Sequence, residues 1–354
     1  MQQFSLYHHN TLCWQAITSA LESATQTIDI EHFIFKQGGI GDELLSILYR
    51  KAAAGVKVRL LLDAIGSDEL AVSNLVARCT DAGIELRFFN SIIPLRLSHH
   101  TPIFFRDHQK LIVVDKRTGL TGGVCIDERM RAWRDTLIIF EGAAVSDMQR
   151  AFDCMWKIAH KEMRLRDMPK YKVAPEQYLL DIPFSLRRPA YRALRRAIRA
   201  AKRYIYLETP YFVPPHLLVR LLKSARRRGV DVRLILPERS DASIADLAAE
   251  SYFENLLTAG VRIYRYIPST LHAKIAVIDG SFSMLGSHNL DHLSFQYNFE
   301  GSLISNDSAL AKVLTEQLTV DMAHSSELQF AQWYKRGYVA RFMETLIWPL
   351  SFLM

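Results

Sequence analysis

The stretch LHAKIAVIDG, residues 271–280, decides the fold because a second stretch, DHQKLIVVDK at 107–116, repeats its pattern. In both stretches a histidine is followed two residues later by a lysine and, after four more residues, by an aspartate. A pair of small residues then follows each aspartate at the same offset, Gly122–Gly123 in the first copy and Gly286–Ser287 in the second. The six motif residues are His108, Lys110, Asp115, His272, Lys274 and Asp279. Chance does not readily explain two such patterns with matching tails.

Flanking segments indicate that the whole chain is duplicated. GVKVRLLL at 55–62 matches GVDVRLIL at 229–236, and AGIELRFF at 82–89 matches AGVRIYRY at 259–266. The period is far longer than a solenoid unit, which predicts two homologous domains rather than a stacked array. The boundary is expected in the polar and charged stretch near 160–180. The predicted domains are 1–165 and 166–354.

Helix and strand patterns alternate in both domains. Helices are predicted at 12–24, near 68–81, at 189–202 and at about 243–258, and the first predicted strand is 27–35. Such alternation predicts an α/β fold in which each domain is a mainly parallel sheet flanked by helices.

Composition narrows the range of partners. The net charge of +7 suits a partner that carries phosphate, either nucleic acid or an anionic membrane surface, although solubility alone explains it equally well. The four cysteines are scattered, so neither a zinc site nor a disulfide framework is indicated. The sequence shows no signal peptide and no uninterrupted apolar run of about 18 residues. We therefore expect neither secretion nor a membrane-spanning segment.

The repeated motif suits phosphodiester chemistry. Side chains alternate along a strand, so the histidine and lysine of each copy lie on one face, whereas the aspartates lie at odd offsets and are expected to support the architecture. The lysines can neutralise a phosphate and its transition state. One histidine can attack phosphorus while the other transfers protons. The alternative for a single such histidine is a buried core residue with a satisfied hydrogen bond.

These residues resemble the phospholipase D superfamily, whose signature is two such motifs with glycine-bearing tails. Within it the chain is most similar to bacterial cardiolipin synthases of the short form without N-terminal membrane helices. Supporting stretches are IEHFIFK, LETPYFVP at 207–214 and WRDTLIIFEGAAV at 133–145. The resemblance implies two phospholipase D-like half-domains with the active site at their interface. It also implies a covalent phosphohistidine, with no metal and no other cofactor.

By the same resemblance, His108 is the nucleophile and His272 is general acid and then general base. Lys110, Lys274 and Asn289 would bind the phosphate, with Ser287 and Gly123 beside it in the substrate site. Asp135 and Glu300 would each orient the histidine of the opposite motif. One position departs from the family: Cys125 stands where cardiolipin synthases usually have asparagine, which removes one expected phosphate contact because a thiol is a weak donor.

The function implied is transfer of a phosphatidyl group between two phosphatidylglycerol molecules, which gives cardiolipin and glycerol. Two alternatives use the same histidines, hydrolysis of phospholipid or of nucleic acid. A third is a non-catalytic binding relative.

The expected partners are phospholipids and an anionic membrane surface. Nucleic acid is not favoured, since no nucleic-acid motif is recognisable. Because the chain itself contains both motifs, no oligomer is needed to complete the active site. The expected location is peripheral, on the cytoplasmic face of the bacterial inner membrane.

Three segments are candidates for membrane contact. They are the apolar C-terminal tail from Val339, the loop at 90–107, and the basic helix at 187–203. The arginine stripe of that helix consists of Arg188, Arg192, Arg195 and Arg199. The alternatives are a tail docked on the core, a packed surface loop and a solvated helix face.

Overall fold

The duplication seen in the sequence is present in the computed structural model, which describes residues 3–90, 104–168, 174–183 and 188–336. The first half contains strands β1 (Gln3–Tyr7), β2 (Thr27–His32), β3 (Lys57–Asp63), β4 (Glu85–Phe89), β5 (Arg106–Asp107), β6 (Lys110–Val114), β7 (Thr118–Gly122) and β8 (Leu137–Glu141). Its helices are α1 (Asn10–Ser23), α2 (Ile40–Ala53), α3 (Asp68–Ala71), α4 (Leu75–Asp81) and α5 (Ala143–Ala159).

The second half repeats this order with a larger sheet. Its strands are β9 (Glu176–Asp181), β10 (Tyr204–Glu208), β11 (Phe212–Val213), β12 (Asp231–Pro237), β13 (Arg262–Tyr266), β14 (Ile275–Ile278), β15 (Phe282–Gly286), β16 (Leu290–Asp291), β17 (Asn298–Ser305) and β18 (Ser325–Glu327). Its helices are α6 (Pro189–Ala200), α7 (His216–Arg227), α8 (Ser243–Thr258), α9 (His292–Gln296), α10 (Ser308–Ala323) and α11 (Phe330–Tyr334).

The α/β class and the two halves are as predicted, but the prediction of mainly parallel sheets is wrong. The first sheet has the order β1-β8-β7-β6-β2-β3-β4, and only β2, β3 and β4 are parallel to one another. In the second sheet β10, β12 and β13 are parallel, whereas β14, β15, β17 and β9 alternate in direction. The motif strands β6 and β14 run antiparallel to β2 and β10.

Short turns after the motif strands explain their antiparallel pairing with the next strands along the chain, β7 and β15. Asp115 and Lys116 both have positive φ, as do Asp279 and Gly280, and such turns join antiparallel neighbours in a hairpin. A parallel connection would need a crossover of about a dozen residues or more, which these segments lack. The Asp-Gly pair at 279–280 is itself a hairpin signal.

The helix predicted near 68–81 is divided into α3 and α4. Between them the Ser73 hydroxyl accepts a hydrogen bond from the Leu75 N–H at 3.1 Å and donates one to the Leu70 carbonyl. Serine offers the backbone this alternative to helical pairing, and the helix stops there.

Three apolar clusters stack the two halves into one body. One lies under α1, α2 and α4 on the outer face of the first sheet, and another lies under α6, α7 and α8 on the outer face of the second. The third joins the halves, since it combines Met148 and Phe152 of α5 with Leu310 and Leu314 of α10. The arrangement therefore holds the two motif strands in fixed relative positions.

One short strand of the first half completes the sheet of the second. β5 pairs in parallel with β17, with Arg106 opposite Asn298 and Asp107 opposite Phe299. This pairing brings His108, the next residue, beside the second half. No helix in the described ranges combines the length and apolarity that crossing a bilayer requires. The C-terminal tail and most of the 90–107 loop, two of the candidates for membrane contact, lie outside the described residues.

Candidate active site

Each motif histidine is held by its backbone against the opposite half. The His108 N–H donates to the Phe299 carbonyl at 3.0 Å, and the His272 N–H donates to the Arg134 carbonyl at 2.7 Å. Phe299 directly precedes Glu300, and Arg134 directly precedes Asp135. The same backbone contact in each half therefore delivers a carboxylate to the histidine of the other half.

The two histidine–carboxylate pairs are equivalent. His108 Nδ1 lies 2.9 Å from Glu300 Oε1, and His272 Nδ1 lies 2.7 Å from Asp135 Oδ2. With the proton on Nδ1, each ring donates to its carboxylate and keeps the Nε2 lone pair free for chemistry. The carboxylates are fully buried, so each ring is fixed in its orientation.

Further contacts fix the carboxylates themselves. The Ser287 hydroxyl donates to Glu300 and also accepts the Gly301 N–H at 3.0 Å. Asp135 Oδ1 accepts the Thr136 N–H at 2.7 Å. A Cβ on Gly123 would lie 2.3 Å from Asp135 Oδ1, so the absence of a side chain there gives Asp135 its room. Ser287 and Gly123, both predicted to bind substrate, thus lie where they position the carboxylates.

Two ammonium groups lie beside the histidines. Lys110 Nζ donates to the His108 carbonyl at 3.0 Å, and Lys274 Nζ lies 3.0 Å from both ring nitrogens of His272. The lysines are only 2% and 4% exposed, and within the described ranges neither forms an ion pair with a carboxylate. Burying an ammonium group without a counterion is costly, so this site is suited to an anion.

Burial dominates the protonation of the site. It lowers the pKa of His108 to about 4, although Glu300 acts in the opposite direction, and it lowers the pKa of His272, assisted by Lys274. The pKa of Lys274 falls to about 8 for the same reason. Burial by itself would raise the pKa of Glu300, but His108, His288 and Lys110 together lower it to about 2. At neutral pH a neutral His108 therefore lies beside a charged carboxylate.

Aromatic rings line both histidines. Phe33 lies edge-on to His108 with ring centroids 4.8 Å apart, and Trp133 lies 5.4 Å from His272. Tyr211 lies edge-on to His272 at 6.3 Å and donates its hydroxyl hydrogen bond to Asp241 at 2.5 Å. These rings narrow the access of water to the two imidazoles.

Two further positions from the sequence analysis are Asn289, predicted to bind phosphate, and Cys125, where a phosphate contact was expected to be missing. Asn289 is buried, and its carboxamide oxygen has no hydrogen-bond partner among the residues described. Cys125 is also buried; burial raises the pKa of its thiol, while the charges of Lys110 and Lys274 act against that rise. The thiol makes only a long contact of 3.8 Å with the Gly123 carbonyl.

Asp115 and Asp279 lie at the other end of the motif strands. At roughly 3.3 Å per residue, the five positions from Lys110 to Asp115 span about 16 Å. Asp115 accepts the backbone N–H groups of residues 25–27, and Asp279 those of residues 202–204. Both aspartates thereby fix the start of the neighbouring strand, β2 or β10.

Several buried polar residues behind the site were not predicted. Arg134 is fully buried and its guanidinium binds Asp321 at 2.5 Å, with Glu208 at 3.6 Å. Glu31, at the position of β2 that corresponds to Glu208 in β10, is also fully buried and accepts a 2.6 Å hydrogen bond from Gln109. The duplication aligns Glu31 of IEHFIFK with Glu208 of LETPYFVP, and this match could have indicated that both glutamates are buried near the site.

No group of three or more histidine, cysteine or acidic residues suited to a metal ion occurs in the part of the chain that the structure describes. The fold and site together define a duplicated enzyme of the phospholipase D type, in which each half supplies one histidine and the carboxylate for the other.

Comparison with known proteins identifies the family. The family model described as cardiolipin synthase, PLD-like domain, matches residues 17–156 and 194–322, one segment in each half. The chain is 31% identical to the cardiolipin synthase of Clostridium perfringens strain SM101, over 99% of this chain and 76% of that protein. It is 34% identical to the cardiolipin synthase of Geobacillus thermodenitrificans, over 96% of this chain and 70% of that protein.

A solved structure shows the same fold. The phosphatidylserine synthase of Haemophilus influenzae aligns with a TM-score of 0.80 at 14% identity, over 100% of this chain and 95% of that one. The chain belongs to the cardiolipin synthase family of phospholipase D-like phosphatidyltransferases.

Proposed function

We propose that this protein joins two phosphatidylglycerol molecules into cardiolipin and glycerol through a phosphohistidine on His108. The observation that carries the proposal is the pair of buried ammonium groups, Lys110 and Lys274, without carboxylate partners beside two oriented imidazoles. A phosphodiester would supply the missing negative charge. The names of the relatives support a phospholipid as the carrier of that phosphodiester.

In the first step, the Nε2 lone pair of neutral His108 attacks phosphorus and the bond to the glycerol oxygen breaks. His272 gives its Nε2 proton to that oxygen, so glycerol leaves as a neutral alcohol. In the second step, His272 takes the proton from the terminal hydroxyl of another phosphatidylglycerol. The resulting oxygen attacks phosphorus, the P–N bond breaks, and His108 returns to its neutral form.

The two histidines need different protonation states, although burial lowers the pKa of both. An anionic phosphodiester beside Lys274 would offset the charge that disfavours a proton on His272, and would raise its pKa. Asp135 would then stabilise the imidazolium. Binding of the substrate is thus proposed to protonate His272, whereas His108 stays neutral and nucleophilic.

Substrate specificity would come from the same contacts. Asn289 is proposed to contact a phosphate oxygen, and Cys125 to leave the corresponding position without a strong donor. We place the protein peripherally on the cytoplasmic face of the bacterial inner membrane, where phosphatidylglycerol supplies both donor and acceptor.

The test is to incubate the purified protein with phosphatidylglycerol in mixed micelles and to identify the products. Cardiolipin with an equal amount of glycerol supports the proposal. Phosphatidic acid as the only lipid product would make the protein a hydrolase. Cleavage of a nucleic acid without turnover of lipid would refute the lipid assignment. A His108→Ala variant that retains substantial turnover would refute the covalent mechanism.

A further inference from the structure

We propose that the end of the molecule that carries the site docks on a phospholipid bilayer through a ring of exposed apolar side chains. This inference rests on the proposed function, since it concerns how a bilayer lipid reaches the site. The apolar rim consists of Ile65, Phe104, Ile244 and Leu293. Two of these residues come from each half, so both halves contribute to the rim.

The first half contributes Ile65 and Phe104, and a short series of contacts links each of them to the site. The Ile65 N–H donates to Asp63 Oδ1 at 2.9 Å, and Asp63 binds the Arg106 guanidinium at 2.7 Å, two residues before His108. The Phe104 ring lies 6.0 Å from the ring of Tyr297, three residues before Glu300. Both rim residues are thus connected by contacts to the His108–Glu300 pair.

The second half contributes Ile244 and Leu293, from segments that adjoin residues of the site. Ile244 lies in the first turn of α8, three residues after Asp241, which accepts the hydrogen bond of Tyr211. Tyr211 in turn lies edge-on to His272. Leu293 lies in α9, four residues after Asn289.

The rim is accessible and apolar. Its side chains are 44%, 54%, 61% and 39% exposed, in the order Ile65, Phe104, Ile244 and Leu293. Aliphatic and aromatic side chains gain free energy when they leave water for the acyl boundary of a bilayer, and a polyanion offers them no such gain. The rim therefore favours a lipid surface over a nucleic acid as the partner.

The direction of α6 decides which cations can join this contact. Asp181, paired with Glu300 across β9 and β17, caps the start of α6 through the Ala190 N–H at 2.9 Å. The helix then runs away from the site toward Lys202, whose N–H binds Asp279 at the far end of β14. Twelve residues of helix span about 18 Å. Arg192 thus lies in the part of the helix nearer the site, whereas Arg199 lies in the last turn, the part remote from it.

Vesicle binding tests the docking surface without any need for turnover. Full-length protein is mixed with vesicles of phosphatidylglycerol and phosphatidylcholine, and the bound fraction is measured by sedimentation. We expect Ile244→Ser with Leu293→Ser to weaken binding at least about tenfold, because two anchors become polar. The matched control is Val313→Ser with Val320→Ser, which changes two exposed residues of α10 and should bind as wild type. An Arg199→Ser variant should also bind as wild type.

Turnover separates this inference from the proposed function. The rim double variant should retain wild-type activity on a short-chain phosphatidylglycerol dissolved as monomers, and lose activity on vesicles in proportion to its lost binding. Wild-type binding by the rim variant, or an equal loss in the α10 control or in Arg199→Ser, would overturn the docking surface. Wild-type protein that binds vesicles through the rim but turns over neither form of phosphatidylglycerol would instead refute the proposed function.

Discussion

Glu300 lies 2.9 Å from Nδ1 of His108, although the two residues belong to opposite halves of the duplicated chain. The reciprocal pair, Asp135 with His272, has the same geometry at 2.7 Å. Neither half by itself contains a histidine with its own orienting carboxylate. The site is therefore a property of the interface, which the shared cluster around α5 and α10 holds in place.

Glu300→Gln should lower kcat by about 100-fold, because an amide can accept the Nδ1 hydrogen but cannot stabilise a positive imidazole. The measurement is steady-state turnover of phosphatidylglycerol by the purified variant, with KM expected to change little. Glu316→Gln on the exposed face of α10 is the matched control and should retain full activity. A Glu300→Gln enzyme as active as this control would contradict the role assigned to Glu300.

The value of kcat/KM should fall at both low and high pH. His108 must be neutral to attack, so kcat/KM should fall as the pH drops toward about 4, the pKa of its imidazole. Lys274 must be charged to hold the phosphate, so kcat/KM should fall as the pH rises through about 8. Lys274→Arg should move the upper limit to higher pH, because a guanidinium keeps its charge. An upper limit unchanged by this substitution would show that another group sets it.

Cys125→Asn should lower KM for phosphatidylglycerol by about threefold to tenfold, because the carboxamide supplies a hydrogen-bond donor beside Lys110 and Lys274 that a thiol does not. Initial rates over a range of lipid concentrations measure the effect. Cys125→Ala removes the thiol without adding a donor and should leave KM near the wild-type value. A KM raised by both variants to the same extent would indicate that the position serves only packing.

Asp279→Ala should destabilise the fold by about 2 kcal/mol, because the carboxylate accepts three backbone N–H groups at the start of β10. Urea unfolding followed by circular dichroism measures the loss. Asp279→Asn keeps an acceptor and tolerates the positive φ at this position, so it should lose less.

The same aspartate gives stability a pH dependence of known sign. Its backbone hydrogen bonds hold the pKa of Asp279 in the folded protein below the ordinary value of 3.8, although partial burial opposes them. The stabilisation is thus complete above the unfolded value and is lost as the pH falls through the folded value. The difference in unfolding free energy between wild type and Asp279→Asn should shrink in that acidic range. A turnover loss in folded Asp279→Asn would contradict its placement remote from the chemistry.

The duplicated motif allowed much of the site to be predicted, because spacing in a strand fixes which side chains share a face. His108 with Lys110 and His272 with Lys274 do lie together, and Asp115 and Asp279 lie apart from them. The strand directions were not predicted, because apolar runs such as LIVV suit either direction and only the tight turns decide it. The Asp-Gly pair at 279–280 carried that information.

Residues whose partners are distant in sequence escaped prediction. Arg134 binds Asp321, which lies 187 positions later in the last turn of α10. No local sequence pattern pairs two charged residues that are so far apart in the chain. Ser287 shares the motif tail with residues that face the site, yet its hydroxyl turns to Glu300. Sequence spacing gives the neighbourhood of such a side chain, whereas its hydrogen-bond partner depends on packing between elements.

The backbone contacts of His108 with Phe299 and of His272 with Arg134 have a consequence for biosynthesis. A nascent chain that has emerged only as far as residue 270 lacks both the second motif histidine and Glu300, so neither histidine–carboxylate pair can be complete. The complete site can therefore form only when β17 emerges and pairs with β5.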